Sequence, residues 1–381
     1  MNASRPGGRR RLVSVSAGLC LLLVVSVGCP HRSPVWSPDG KRILLLAGEK
    51  GEELDTAASQ LWLVDTESGE KKKLSLPEPG CRFLAAAWIS QDRFVALTGK
   101  WDEDYIESGS EKIWRGDGTT WRQLDAPHPN EARATRRLPV VLETTKGEAL
   151  VYVTRDEAVT VVSLDDGSVL KTLEPAELIG AGPGGGFLVY RPEASDTGGS
   201  EIAAFSSDLE LLWSQKFSTI RAEIAKRLDR KPIEIVFNEA STSHLPHRGE
   251  GLDWVGVTLA FSDVSWREGI TACYARLEAG TGRLLETAEG VGVSGASSSA
   301  KGILWAVLAP EPKKSLPERV ARIDLGQRRQ LDGVPISGGP AHGYALSPSG
   351  DRFAVSVNGA PSSVLVFESA DLKNVRTIRL E

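Results

Sequence analysis

A turn sequence that recurs at the two ends of this chain constrains its fold more than any other feature. Near the start stands Pro34-Val35-Trp36-Ser37-Pro38-Asp39-Gly40-Lys41-Arg42-Ile43-Leu44-Leu45-Leu46. Near the end stands Tyr344-Ala345-Leu346-Ser347-Pro348-Ser349-Gly350-Asp351-Arg352-Phe353-Ala354-Val355-Ser356-Val357. Each is a short apolar run, a Ser-Pro-(Asp/Ser)-Gly turn and a second apolar run. Pro presets φ at the second turn position and Gly accepts the conformation that closes the turn, so both segments predict β-hairpins. A degenerate third copy is Ala87-Trp88-Ile89-Ser90-Gln91-Asp92-Arg93-Phe94-Val95-Ala96-Leu97.

A second signature, an apolar strand followed by a polar turn, fills the interval. Leu61 to Asp65 precedes Gly69, Lys112 to Trp114 precedes Gly116 and Gly118, Val159 to Leu164 precedes Gly167, and Ile202 to Phe205 precedes Asp208. Cys273 to Leu277 precedes Gly282, Val320 to Asp324 precedes Gly326, and Val364 to Phe367 precedes Asp371. Seven units of about fifty residues, each read as four short strands, predict an all-β chain. The expected architecture is a single β-propeller of about seven four-stranded blades over residues 34–381, with one helical insertion. Six or eight blades also fit the spacing. No lone blade can bury both faces, so each packs on its neighbours, and closing the ring removes exposed edges. Closure is expected by side-chain packing between the first and last blades rather than by a strand borrowed across the seam. Trp36, Trp62, Trp88, Trp213, Trp254 and Trp305 lie in apolar strands and are assigned to the core between blades rather than to ligand platforms.

The rhythm breaks between the fourth and fifth units. Ile220, Ile224 and Leu228 stand at i, i+4 and i+8 with charges between them, predicting a helix that Pro232 ends. This insertion, about 219–250, reads either as a specialised surface or as a plain connection between blades.

The first residues read as an address. Arg5, Arg9, Arg10 and Arg11 precede an uncharged stretch from Leu12 to Gly28 that is short for a membrane span, the order of a secretory signal peptide. Its end, Val25-Ser26-Val27-Gly28-Cys29, resembles the lipobox of bacterial lipoproteins, with Ser26 where Leu is commonest. The resemblance implies a signal peptide over 1–28, a lipidated Cys29 and a short tether over 29–33. It also implies that the protein is held at the cell envelope by acyl chains, two or more of which give stable attachment. Pro30 is not the Asp associated with inner-membrane retention, so the expected location is the periplasmic face of the outer membrane. Cys20 leaves with the signal, so Cys81 and Cys273 remain as the only other thiols. Export permits a disulfide, but the unit count sets these two far apart around the ring, and two separate thiols are expected.

Residues that carry chemistry are sparse. His31, His128, His244, His247 and His342 are the histidines, and His244-Leu245-Pro246-His247 has ligand-like spacing without a third partner. Gly292-Val293-Ser294-Gly295-Ala296 fails the nucleophile-elbow pattern at its last position. Gly180-Ala181-Gly182-Pro183-Gly184-Gly185 satisfies a dinucleotide fingerprint by spacing, yet it leads into the strand Phe187 to Tyr190 rather than opening a helix, and reads as a blade turn. The acidic run from Asp102 to Glu107, flanked by Trp101 and Tyr105, offers calcium or a basic partner a site but reads more simply as a solvated loop. No catalytic residue, metal site or cofactor is expected. The net charge is −5, with 45 basic and 50 acidic residues and no basic block after residue 11, which argues against nucleic acid as a partner.

The Trp36-Ser37-Pro38-Asp39-Gly40-Lys41 pattern resembles the WD-like repeat of TolB-type β-propellers, also found in the propeller domains of prolyl-oligopeptidase-like peptidases. No hydrolase domain is expected to follow the propeller here, so peptidase activity is not. The resemblance implies contacts with other envelope proteins through the channel mouth or rim, and it transfers no specific interface. The expected function is a non-catalytic scaffold of lipid-anchored type. The alternatives are a propeller enzyme or a glycan- or small-ligand-binding propeller with its site over the central channel, and a structural subunit of a larger lipoprotein complex.

Overall fold

A computed structural model gives the fold. It describes residues 34–48, 60–102, 105–134, 138–192, 199–227, 254–259, 271–278, 280–291, 293–298, 303–308, 317–324, 327, 329–357, 363–369, 372–373 and 375–380. The signal peptide, Cys29, the tether, His31, His244, His247 and the insertion beyond Arg227 lie outside these residues.

The described residues form seven antiparallel sheets whose strands follow one another in sequence. Sheet one holds β1 (Val35–Trp36), β2 (Arg42–Ala47), β3 (Gln60–Asp65) and β4 (Lys71–Lys73). Sheet two holds β5 (Cys81–Ser90), β6 (Arg93–Asp102), β8 (Lys112–Gly116) and β9 (Trp121–Leu124), with the short β7 (Tyr105–Ile106) paired to the end of β6. A single helical turn, α1 (Glu131–Ala134), precedes sheet three: β10 (Val140–Thr144), β11 (Gly147–Val153), β12 (Val159–Ser163) and β13 (Val169–Leu173). Sheet four holds β14 (Glu177–Ala181), β15 (Phe187–Arg191), β16 (Glu201–Phe205) and β17 (Leu211–Lys216), and α2 (Phe217–Arg227) follows without a loop. Sheet five shows β18 (Trp254–Leu259), β19 (Thr271–Leu277) and β20 (Leu284–Val291). Sheet six holds β21 (Val293–Ser298), β22 (Ile303–Leu308), β23 (Arg319–Asp324) and β24 (Arg329–Pro335). Sheet seven closes the series with β25 (Ala341–Leu346), β26 (Arg352–Val357), β27 (Ser363–Glu368) and β28 (Val375–Arg379). The expectation of seven blades is met. Sheet two gains a fifth strand, and sheet five shows three, equivalent by their turns to the second to fourth strands of the others.

Burial explains the strand composition. The second strands read as unbroken apolar runs, such as Ile43 to Ala47 in β2, because both of their faces are covered by neighbouring blades. The fourth strands form the outer edge and carry exposed residues, such as Lys71, Lys72 and Lys73 in β4. Contacts between sheets run mainly through the first strands, which places those strands around the ring axis.

The recurring turn works through its serine. In blade one the Gly40 amide donates to the Ser37 carbonyl (2.8 Å), the Arg42 amide donates to Ser37 Oγ (2.9 Å), and Ser37 Oγ donates to the Asp39 carboxylate (2.5 Å). Blade seven repeats this: the Gly350 amide donates to the Ser347 carbonyl (2.9 Å) and the Arg352 amide to Ser347 Oγ (3.0 Å), while Ser347 Oγ donates to Asp351 (2.9 Å). Burial opposes ionisation of Asp39 and Asp351, but the serine hydroxyls, aided by the adjacent arginines, outweigh it and hold both carboxyls below their usual range.

The tryptophan and arginine of the repeat join blades. Trp88 Nε1 donates back to the Val35 carbonyl (2.7 Å), and Trp36 Nε1 donates across the seam to the Ala345 carbonyl (3.1 Å). In the forward direction Arg42 lies over the Trp88 ring (5.4 Å) and pairs with Asp92 (3.1 Å). Arg352 lies over Trp36 (5.5 Å) and donates to the Gly40 carbonyl (2.7 Å) and Thr66 Oγ1 (3.0 Å). The same two contacts therefore join blade one to blade two and blade seven to blade one. Among the described residues no strand crosses the seam. Trp36, Ile43, Leu45 and Val64 pack there against Ala345, Ala354, Val364, Val366 and Ile378, so closure is by side chains as expected. Trp36, Trp88, Trp213 and Trp305 are buried and Trp62 is partly buried, as the sequence assigned.

The predicted helix exists and begins two residues earlier than its spacing showed. Blades splay apart toward the rim, and α2 fills the resulting wedge between blades four and five. Its Phe217, Ile220 and Ile224 pack with Ile202, Trp213, Leu277 and Leu284. Arg227 in its last turn donates to the carbonyls of Leu284 (2.7 Å) and Leu285.

Candidate functional site

Antiparallel order sorts the connections by end. Among the described strands, links from first to second strand and from third to fourth lie at one end of the ring and do not exceed six residues, as in 278–283 and 369–374. The opposite end carries the long links, including 48–59, 103–111, 125–139, 260–270 and 309–318. Loops on a rigid scaffold are where binding residues concentrate, so the long-link end is the candidate functional face.

Its best-defined part lies between blades two and three. Glu111, which precedes β8, is 5% exposed, and its carboxylate accepts the Gly109 amide (2.9 Å) and a guanidinium N–H of Arg155 (2.8 Å). Arg155 sits in the link from β11 to β12, and its amide donates to the His128 carbonyl (3.0 Å). His128 Nδ1 lies 2.7 Å from the Glu111 carbonyl, and a carbonyl only accepts, so Nδ1 carries the proton. Tyr152 donates to the Pro127 carbonyl (2.7 Å), and the Asn130 amide donates to the Val153 carbonyl (2.8 Å). Three links are thereby locked into one surface. A half-exposed arginine and an exposed histidine are presented from it.

Glu131 opens α1 at the edge of this cluster. Burial and then the charge of Glu111 push its carboxyl above the usual range. An acid raised in the folded state binds protons more tightly there than when unfolded, so its contribution favours folding at low pH and is lost as pH rises through the folded value. Glu131→Gln is therefore expected to raise the melting temperature at pH 7 by about 1–2 °C and to leave it unchanged near pH 3. Thermal melts at the two pH values check this.

Of the sequence-derived candidates, His128 enters this cluster and the Asp102 to Glu107 run lies on the same face in the 103–111 link, while the other described candidates do not join the cluster. Cys81 is a buried free thiol at the start of β5, its pKa raised by burial and by nearby Glu78, while Cys273 lies on β19 three blades away. Gly180 to Gly185 runs from β14 through a 3-10 turn into β15, with the Gly182 amide donating to the Gly186 carbonyl (2.8 Å). This is a tight-end hairpin turn, as its context predicted. Trp101 and Asp102 pair with Ile106 and Tyr105 as a hairpin extension of blade two, and Arg82 stacks on the Trp101 ring at 4.3 Å. His342 lies on β25, a different blade from His128. Among the described residues no three His, Cys, Asp or Glu side chains gather as metal ligands, and no helix is long and apolar enough to cross a membrane. The Glu111–Arg155–His128 cluster went unread because its members lie 17 and 44 positions apart, and only the stacking of blades two and three joins them.

No protein-family model matches the chain, and no curated protein matches it in sequence. Among solved structures, 93% of the chain is similar to 99% of a chain from Kuenenia stuttgartiensis hydrazine synthase, with a TM-score of 0.52 and 12% identity. A mitotic checkpoint complex structure contributes a second likeness, covering 94% of this chain and 95% of that one at a TM-score of 0.50 and 11% identity. The C-terminal WD40 domain of Sif2 aligns with 92% of this chain and 85% of that one, at a TM-score of 0.48 and 13% identity. At such identities the likeness is one of fold, and with seven sequential antiparallel sheets among the described residues it makes this chain a β-propeller.

Proposed function

We propose that this is a lipid-anchored protein of the bacterial envelope whose TolB-like propeller serves as a non-catalytic scaffold for other proteins. The observation that carries the reading is the division of the ring into two ends. Among the described strands one is closed by turns of six residues or fewer, and the other carries longer links, of which 103–111 and 125–139 are held together by the Glu111–Arg155–His128 cluster. A ring that presents loops tied together by such contacts suits recognition of a partner. Of the fold relatives, one belongs to a checkpoint complex and another is a synthase, so fold alone does not choose between scaffold and enzyme. The anchor part of the reading rests on Arg5 to Arg11, the apolar stretch and Cys29, with the periplasmic face of the outer membrane as destination.

The test is in-cell crosslinking and pull-down of the full chain beside a Cys29→Ala control. The wild type is expected in the membrane fraction with a protein partner at fixed stoichiometry, and the control is expected to shift to the soluble fraction and lose it. Unchanged membrane association of the control would remove the lipid anchor. Well-expressed protein that brings down no partner would remove the scaffold and direct attention to glycans and small ligands over the channel.

A further inference from the structure

Four consecutive blades share a feature at their outer edge. In blades three, four, five and six the pairing of the third and fourth strands skips one residue, and the skipped residues are Leu170, Leu212, Leu285 and Leu331. A β-bulge on an edge strand twists the edge and discourages pairing with another sheet, which accounts for the bulge but not for a leucine pointing outward from it. In blades three and four the apolar exposure is concentrated: Val169 is 50% exposed, Leu170 37%, Leu211 54% and Leu212 43%.

Blade five shows what covers such an edge. There the chain's own α2 lies against the start of β20, buries Leu284, and uses Arg227 to cap the carbonyls of Leu284 and Leu285 at the bulge. The equivalent Leu211 and Leu212 of blade four have no such cover among the described residues.

Blade four also departs from its neighbours in the turn that leads into this strand. The positive-φ position there is Gly69, Gly118, Gly167 and Gly282 in blades one, two, three and five, and Leu209 (φ 67°) in blade four. A leucine in the left-handed region is strained, and such local strain gathers at functional positions. The turns feeding the two strands carry Asp165, Asp166, Asp208 and Glu210. Asp165 pairs with Arg115 (2.9 Å) and Lys171 donates to the Leu209 carbonyl (2.6 Å), so Asp166, Asp208 and Glu210 supply the acidic rim beside the apolar side chains.

We propose that the outer edges of blades three and four form a docking surface for an amphipathic helix, with a basic last turn, borne by a partner protein. The occupant copies the chemistry that α2 brings to blade five: aliphatic side chains at i and i+4 over the leucines, and an arginine on the bulge carbonyls. The acidic rim favours its basic end. Cys29 stands five residues before Pro34, so a tether from a lipidated Cys29 spans about 18 Å at most. The chain enters blade one from the long-link end, across the ring from blades three and four, whose exposed leucines lie beside the tight turns. The membrane is therefore out of this surface's reach, and a protein is its occupant. The inference deepens the scaffold reading, and its docking site and partner class rest on that reading.

The probe is a synthetic peptide of α2, Phe217-Ser218-Thr219-Ile220-Arg221-Ala222-Glu223-Ile224-Ala225-Lys226-Arg227-Leu228, added to the full chain in detergent and followed by hydrogen exchange. Slowed exchange confined to 164–173 and 206–216 is expected. The double variant Leu211→Asp, Leu212→Asp is expected to weaken the peptide at least tenfold with an unchanged melting temperature, and an Arg227→Glu peptide is expected to bind more weakly. Three results would overturn the proposal: no binding, protection of β20 instead, which marks simple displacement of α2, or protection of the long-link end. Self-association that the double variant abolishes would overturn it too, by making a second copy the occupant. Each leaves the scaffold reading to the in-cell crosslink, which reports on it separately.

Discussion

Trp88→Ala is expected to lower the melting temperature by about 10 °C, corresponding to roughly 4 kcal/mol. The ring is 1% exposed, meets Phe94 edge-on with centroids 4.8 Å apart, and carries Arg42 over its face. Its removal leaves a large cavity between blades one and two and deprives the buried Val35 carbonyl of its donor. Trp88→Phe keeps most of the packing and loses the N–H, so it is expected to cost about 1–2 kcal/mol. Calorimetry on both variants checks the order. An equal loss in the two would mean that the hydrogen bond, not the ring, holds this junction.

Gly186→Ala is the second large effect, about 3 kcal/mol or more. A β-carbon at residue 186 would stand 1.9 Å from the Phe205 carbonyl oxygen, an overlap with backbone that no side-chain rotation relieves. The pairing of β15 with β16 would open at Phe187 and Phe205, whose rings stack at 5.1 Å and 11°. Gly184→Ala, in the same turn, meets nothing within 4 Å and strains only its φ of 60°, for about 1 kcal/mol. Urea unfolding of the two variants separates clash from strain. If they lose equal stability, the close approach of residue 186 to β16 is not what requires glycine.

Both predictions bear on how the site is held. Trp88 secures blade two against blade one, and blade two carries Glu111. Gly186 belongs to the tight-turn end of blade four, where Leu211 and Leu212 lie. Loosening either junction is expected to disturb the corresponding surface without touching its residues.

What was legible follows from how local each cause is. Ser37 to Gly40 and Ser347 to Gly350 close their turns with their own side chains and amides, so the hairpins could be read directly. Trp88 could be assigned to the core because it sits in an unbroken apolar strand. The spacing of Ile220 and Ile224 announced α2 for the same reason. Its first turn was missed because Phe217 continues straight from β17, with no capping residue to mark the change. The outward leucines stayed hidden because a bulge shifts the two-residue period by one. In sequence Leu212 then looks like one more core residue beside Trp213.

The sequence by itself determined the repeat, the turns and the buried strands, since each depends on neighbours within a few positions. Tertiary structure alone decided which end of the ring carries the long links, which edges remain uncovered, and that Glu111 meets Arg155 and His128. Those depend on which blade stacks against which and on which strand lies outermost. Both are consequences of closing the ring, and no short stretch of residues records them.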